Sequence, residues 1–367
     1  MKPKLIILDC RSIQDPAING VIKVGRNFLK DFRKHANSQK RLLIWTNSLK
    51  KIDLDFIKEK KYIVHIHTRI PNILLHLIFK FLPFIKIDGL LYKLANFKSK
   101  DYSKNTQKFY FGFDLRSINL SAKVKKKSQY IHDVAFEVLK ENLSLKAKIF
   151  YFLMDPKKTI QKMDQIITNS EFSKKEIYKV FGHNNIKVIE PGLQRSLAKY
   201  KQAKIQKENY ILCISSKDPR KNLKQLIKIS KNHPKEKFIL VCNDFDYYQK
   251  ENLNLNFKIL ENQTEEKIQE LIKKAKACIY LSKYEGFGMP IYESIQNNTP
   301  IIVNKVKHYI KTFKKENLSF IENNQLPQNL NKITKNNLYV AKHQARKLIK
   351  SIVKIWFFWK ICYNKEI

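Results

Sequence analysis

Short apolar runs bounded by polar residues recur along the chain. The first, Lys4-Leu5-Ile6-Ile7-Leu8-Asp9, is a continuous Leu/Ile stretch of the kind that suits a parallel strand buried on both faces. Strand-like runs follow at 41–45, 62–66, 109–113, 129–131 and 165–167, and residues 21–32 have helical spacing. The pattern breaks at Pro191-Gly192-Leu193 into a polar segment, 194–208, and restarts with Tyr210-Ile211-Leu212-Cys213-Ile214. Beyond it, strands are predicted at 238–242, 257–260, 277–281 and 300–303, and helices at 222–230 and 265–274. Strands alternating with helices predict parallel sheets covered by helices, an α/β chain. A length of 367 residues exceeds one ordinary core and predicts two domains, placed at 1–200 and 201–335, with a helical segment at 336–367. Ligands of such domains bind at the carboxyl ends of the strands, so a nucleotide-binding role fits the pattern.

Charge narrows the partners. Seventy-two Lys and Arg against 32 Asp and Glu give a net charge of +40, which calls for something anionic: nucleic acid, an acidic membrane surface or a phosphorylated substrate. The positive charge is spread over the whole chain and no nucleic-acid recognition module accompanies it, so nucleic acid is not the expected partner. Cys10, Cys213, Cys242, Cys278 and Cys362 have neither metal-ligand nor paired spacing, which fits a reducing cytoplasm. Met1 leads almost directly into the first strand, so no signal peptide is expected. No apolar run reaches the roughly 18–20 residues needed to span a bilayer. The segment 72–100, with Leu74, Leu77, Phe81 and Phe84 among lysines, suits either interfacial adsorption or a core helix pair. The end of the chain, with Trp356-Phe357-Phe358-Trp359, suits either packing against the rest of the protein or membrane contact.

The densest chemistry lies in Tyr284-Glu285-Gly286-Phe287-Gly288-Met289-Pro290-Ile291-Tyr292-Glu293. An apolar run precedes it, a helical pattern follows, and Pro290 is acceptable in a first helical turn. Strand, glycine turn and helix N-terminus together offer backbone N–H groups and a positive dipole end to a phosphate or sugar oxygen. Glu285 and Glu293 are carboxylates suited to bidentate acceptance from sugar or ribose hydroxyls. Read without other context, the pair favours the plainer reading, in which Glu293 is a solvated helix residue and the glycines only turn the chain.

The stretch resembles the Glu-x7-Glu signature of retaining glycosyltransferases of family 4. The resemblance implies contact with the transferred sugar for Glu285 and with the nucleotide ribose for Glu293, with Gly286, Phe287 and Gly288 in the donor-binding turn. Ser215-Ser216-Lys217-Asp218-Pro219-Arg220-Lys221-Asn222 resembles the donor-phosphate motif, with Lys221 as the phosphate-binding lysine and Arg220 beside it. Serines stand there where the family usually has glycine and arginine. Gly20-Val21-Ile22-Lys23 resembles the N-terminal glycine loop: Gly20 is kept, while Ile22 replaces the second glycine. His132-Asp133 resembles the His-Asp motif whose histidine lies near the transferred sugar, and Asn169 to Lys174 a strand with a capped helix.

The family implies a GT-B fold: two Rossmann-like domains with parallel sheets facing a cleft and a C-terminal helix crossing back. It also implies transfer of a sugar from a nucleotide-sugar donor with retention. The leaving diphosphate would be stabilised by Arg220, Lys221 and helix N-termini. No metal or other cofactor is expected, and Asn243-Asp244-Phe245-Asp246 reads as a loop. The wording of the motifs is most like bacterial mannosyltransferases that use GDP-mannose in surface-polysaccharide synthesis. A glycan or lipid-linked acceptor and peripheral contact with an anionic membrane complete the expected partners. A non-catalytic homologue and a basic nucleic-acid-binding protein are the competing readings.

Overall fold

The computed structural model describes residues 2–15, 20–49, 57, 61–95, 106–191, 206–243, 256–306, 309, 313 and 318–327. The chain divides into two compact units, Met1–Gly192 and Leu193–Ile367. The segment 336–367, with its expected returning helix, and Asp244 and Asp246 lie outside the described residues.

The first unit begins with β1 (Lys4–Asp9), α1 (Gly20–Lys34), β2 (Lys40–Asn47) and β3 (Ile63–Thr68). The helices α2 (Asn72–Phe81) and α3 (Ile87–Leu94) lead to β4 (Gln107–Gly112) and β5 (Val124–Ile131). Then come α4 (Ala135–Val138), α5 (Leu145–Met154), α6 (Pro156–Gln161), β6 (Gln165–Thr168), α7 (Glu171–Phe181) and β7 (Ile186–Val188). The described strands form a seven-stranded sheet in the order β3-β2-β1-β4-β5-β6-β7, with parallel pairing throughout. β1 sits centrally, and Leu5, Ile6, Ile7 and Leu8 are completely buried, as a strand covered on both faces requires. Each such side chain contributes about 1.5–3 kcal/mol relative to exposure.

The second unit comprises β8 (Glu208–Ile214), α8 (Leu223–Asn232), β9 (Phe238–Val241), β10 (Phe257–Leu260) and α9 (Glu265–Lys274). It continues with β11 (Ala275–Tyr280), α10 (Met289–Gln296), β12 (Ile301–Val303) and β13 (Ser319–Phe320). Its described strands form a six-stranded parallel sheet, ordered β10-β9-β8-β11-β12-β13. Both units are Rossmann-like, each with the strand order reversing direction beside its first strand. In each unit by itself, such a reversal marks the carboxyl-end side where sheets of this kind bind their ligands, beside β1 and β4 in the first and β8 and β11 in the second.

Local sequence explains most element ends. Ser170 caps α7 by accepting from Ser173 N at 3.0 Å, and Gly182 ends the helix in the left-handed region. Thr264 caps α9, whose first turn carries Glu265 and Glu266 and whose last carries Lys273 and Lys274. Two strands escape the hydrophobic pattern: β7 and β13 have only three and two residues, too few to show a period. The segment 72–100 forms a helix pair over its described part, although a large share of its apolar side chains stay exposed.

Candidate functional site

In the second unit, parallel pairing of β11 with β8 places the loops after these strands side by side. The β8 loop passes through a 3₁₀ turn, Pro219–Lys221, whose cap Asp218 accepts from Arg220 N at 2.9 Å. Asn222 then takes the left-handed conformation at φ 57° and starts α8. Asp218 also accepts from Arg220 Nε at 2.7 Å, which fixes the guanidinium over its own turn. Lys221 reaches across instead, and its Nζ donates to Glu285 Oε1, 64 residues further along the chain. Ser282 Oγ donates to the same oxygen at 2.8 Å. A backbone bond from Lys283 N to Arg220 O at 2.8 Å ties the two loops together. Asn304, just after β12, braces them from behind by donating to Leu281 O at 2.7 Å and to Gln225 Oε1 at 2.9 Å.

These contacts set the charge on Glu285. Burial alone would push its carboxyl up, but the Lys221 and Arg220 cations and the hydrogen bonds from Lys221 and Ser282 outweigh that and hold it below the usual range. Glu285 is thus an ionised acceptor at neutral pH, with oxygens available to the hydroxyls of a sugar.

Gly286, Phe287 and Gly288 form the turn into α10. Gly288 is the N-cap residue at φ 86°, a conformation that disfavours any other side chain, and Tyr292 N donates to its carbonyl at 3.1 Å. The Phe287 ring is buried against Tyr292 and Phe313 at centroid distances of 5.5 and 5.9 Å, so its side chain shapes the turn from within the core. Glu293 is only 5 % exposed, which removes the reading of a solvated helix residue. A carboxylate is retained in such a place only with a polar partner or a ligand to meet it.

The first unit holds Gly20 and His132. Gly20 is the exposed first residue of α1, and Ile22 is a buried helical residue in its first turn, so the expected glycine loop is here a helix start. Gly25 is the glycine that permits a close approach. A Cβ on it would lie 2.3 Å from Ile13 Cγ2, and Arg26 fastens the same loop by donating to Ile13 O at 3.2 Å and to Asp15 O at 2.8 Å.

His132 follows β5 and donates from Nε2 to Phe113 O at 3.3 Å; a carbonyl only accepts, so this nitrogen carries the proton and Nδ1 is the acceptor. Burial pushes the imidazole below its ordinary value, and Asp114 and Asp133 offset that only in part, so His132 is neutral at pH 7. Ser173 Oγ donates to the His132 carbonyl at 3.2 Å, which locks the strand end to the capped start of α7. Asp133 caps the next turn by accepting from Ala135 N at 3.0 Å.

Asp9 and Arg11 meet at the end of β1. They form a buried ion pair, Arg11 Nη2 to Asp9 Oδ2 at 2.6 Å, with Tyr110 donating to Asp9 at 2.9 Å and the guanidinium 4.2 Å from the Trp45 ring centre. This is a structural hub at the end of β1. Lys221 and Glu285 are therefore brought together within one unit and Arg220 is held beside them, whereas Gly20 and His132 belong to the other unit. Sequence reading missed Ser282, Asn304 and Gly25. Ser282 was within reach, three residues before Glu285; Asn304 and Gly25 act through contacts that no local pattern encodes.

Comparison with known proteins places these observations. Residues 194–350 match the model of the family Glycosyl transferases group 1. The O-antigen chain mannosyltransferase RfbU of Salmonella typhimurium is 31 % identical over 166 residues, covering 42 % of this chain and 46 % of that protein. The O-antigen chain mannosyltransferase B of Escherichia coli is 23 % identical over 236 residues, covering 56 % and 58 %. The chain thus spans about half the length of these relatives. In three dimensions it is similar to WaaG, a glycosyltransferase involved in lipopolysaccharide biosynthesis, with a TM-score of 0.58 at 12 % identity over 94 % of each chain. That likeness fixes the fold class as an α/β chain of two Rossmann-like units, the architecture of GT-B glycosyltransferases. In sequence, residues 194–350 carry the family match, and the chain is similar over part of its length to two O-antigen chain mannosyltransferases.

Proposed function

We propose that the chain is a retaining glycosyltransferase of the family 4 type that moves mannose from GDP-mannose to a glycan or lipid-linked acceptor in bacterial surface-polysaccharide synthesis. The observation that carries the reading is the Lys221–Glu285 pair, formed by two loops at the switch point of the second sheet and braced by Ser282. One ammonium there serves two ends. It holds Glu285 ionised for the hydroxyls of the transferred sugar, and it supplies positive charge for a donor diphosphate.

Arg220, aimed by Asp218, adds a second cation to stabilise the leaving nucleoside diphosphate. The turn Gly286-Phe287-Gly288 and the start of α10 contribute backbone N–H groups, and buried Glu293 accepts from the ribose hydroxyls. The neutral His132 belongs to the acceptor-side unit and orients a sugar hydroxyl. No side chain is assigned as a covalent nucleophile; the acceptor attacks from the face the diphosphate leaves. The chemistry proposed uses no metal, and nucleic acid is not a partner. The setting is the cytoplasm, with peripheral contact at an anionic membrane. The mannose and O-antigen parts of the reading follow the Salmonella and Escherichia relatives.

The test is a thermal-shift screen of nucleotide sugars, because a ligand bound only by the folded state raises its melting point. GDP-mannose is expected to give the largest shift, and Glu293→Gln to reduce it. Release of GDP with acceptor extract is expected to fall about 100-fold or more in Glu285→Gln. Absence of a shift and of nucleoside diphosphate release with every common donor would refute the enzyme.

A further inference from the structure

Soluble chains seldom leave large apolar side chains exposed in one place. In the first unit they gather on three neighbouring elements. α2 exposes Ile73, Leu77 and Phe81 at helical spacing, while Leu75 and Phe79 on its other side are buried. α5 exposes Leu145, Ile149 and Phe152 at the same spacing, and the turn after α2 carries Phe84, 73 % exposed. The two helices lie side by side. His76 meets Phe150 edge-on at 5.2 Å, and Lys80 Nζ donates to the Phe152 carbonyl while sitting 3.3 Å from the centre of its ring. The exposed stripes are thereby joined across the pair.

Lysines border this surface. Lys86 follows Phe84 by two residues, with its Nζ donating to the Pro83 carbonyl. Lys162 Nζ donates to Asn119 Oδ1 at 2.6 Å, and Asn119 in turn donates to Phe79 O at 3.0 Å, which sets Lys162 against the end of α2. Lys158, Lys86 and Lys127 lie close enough to Lys162 to add to the effect of burial in lowering its pKa, with Asp155 the acidic group that opposes them. Asp88, the acidic residue of α3, is turned inward and takes both the N–H and the hydroxyl of Ser121, at 2.8 and 2.6 Å.

We propose that the α2–α5 face, with Phe84 at its tip, docks the chain on the anionic headgroup surface of a lipid bilayer. This deepens the peripheral-contact part of the functional reading and is independent of the transfer chemistry. Aromatic and leucine side chains enter the headgroup boundary, while lysine stems lie along them and keep their ammonium groups at lipid phosphates. A second copy of the chain would bring the same lysines against one another, so charge complementarity selects the lipid surface.

The test is co-sedimentation of the full chain with large vesicles, of phosphatidylglycerol and phosphatidylethanolamine in one arm and phosphatidylcholine alone in the other. Binding is expected in the first arm only, weakening as salt is raised. Phe84→Ser combined with Phe152→Ser is expected to reduce it at least ten-fold, and Lys86→Ala with Lys158→Ala by about five-fold per lysine. Both variants are expected to keep the donor-induced thermal shift, which shows that they fold. Phe84→Trp fluorescence is expected to shift to the blue and to be quenched by brominated lipid. No binding to anionic vesicles at low salt would overturn the proposal, as would undiminished binding by the double phenylalanine variant. A dimer abolished by that variant, without vesicle binding, would also overturn it and give the face to a second copy. Vesicle binding in a chain that shifts with no donor would leave this surface standing and remove the transferase reading.

Discussion

Lys221→Met removes the nearest cation from a carboxylate that the fold has largely withdrawn from water. The two side chains are 18 % and 12 % exposed, so solvent screens their attraction only in part. Burial is the largest influence on Glu285, and Lys221 is the largest of the influences that oppose it. Removing one member of a buried pair costs about 3–5 kcal/mol. Here the Ser282 hydrogen bond and the Arg220 charge remain and Glu285 can take up a proton, so about 2–3 kcal/mol is expected at pH 7. In a unit of this size that loss lowers the melting temperature by about 5–10 °C.

The pH dependence carries the diagnosis. With its folded pKa depressed, wild-type Glu285 stabilises the fold above the unfolded carboxylate value of about 4.3, and that contribution is lost as pH falls through the folded value. In the variant the folded value rises, and the penalty grows as pH rises. The gap between the two proteins is therefore full at pH 7 and narrows below about pH 4. Urea unfolding at both pH values measures it, and Lys221→Met with Glu285→Gln is expected to recover most of the loss. An equal gap at both pH values, or a double variant no better than the sum of the singles, would refute the coupling of this pair.

Three further expectations rest on separate contacts. Gly25→Ala forces a methyl to 2.3 Å from Ile13 Cγ2 and should cost about 1–3 kcal/mol, whereas Gly89→Ala, in a helix with nothing within 4 Å, should stabilise by about 0.5–1 kcal/mol in the same denaturation assay. His76 is pushed down to about 4, by burial first and then by Arg11. As pH falls from about 6.5 to 4 only the unfolded chain takes up this proton, so about 3 kcal/mol of stability is lost over that window. His76→Asn should flatten that part of the stability profile. Ser282→Ala leaves Glu285 with one hydrogen bond fewer, so donor turnover should drop about ten-fold with the fold intact; a variant with unchanged kcat would show that Ser282 only packs.

The parallel architecture was legible because strands buried on both faces leave continuous apolar runs, as 5–8 and 277–281 do. The turn Gly286-Phe287-Gly288 was legible because glycine and Pro290 announce the end of a strand and the start of a helix. Gly20 illustrates the limit. A motif marked it, yet the residue on which α1 and the β1 loop close is Gly25, and that distance depends on where Ile13 lies. Glu293 was ambiguous for a related reason, since helical spacing gives its face but not what covers that face; the fold buries it.

Sequence by itself thus determined what depends on neighbours along the chain: the alternation of strands and helices, the caps at Ser170 and Thr264, and the residues that could be proposed to meet a phosphate or a sugar. Tertiary structure decided what depends on neighbours across it. β11 lies beside β8, and only for that reason does Lys221 reach Glu285 while Arg220 stays with Asp218. It also decided which apolar helix faces are buried and which, on α2 and α5, stay in the open. Local periodicity records that a face is apolar; whether that face meets a core or an interface is settled by packing between segments far apart in sequence.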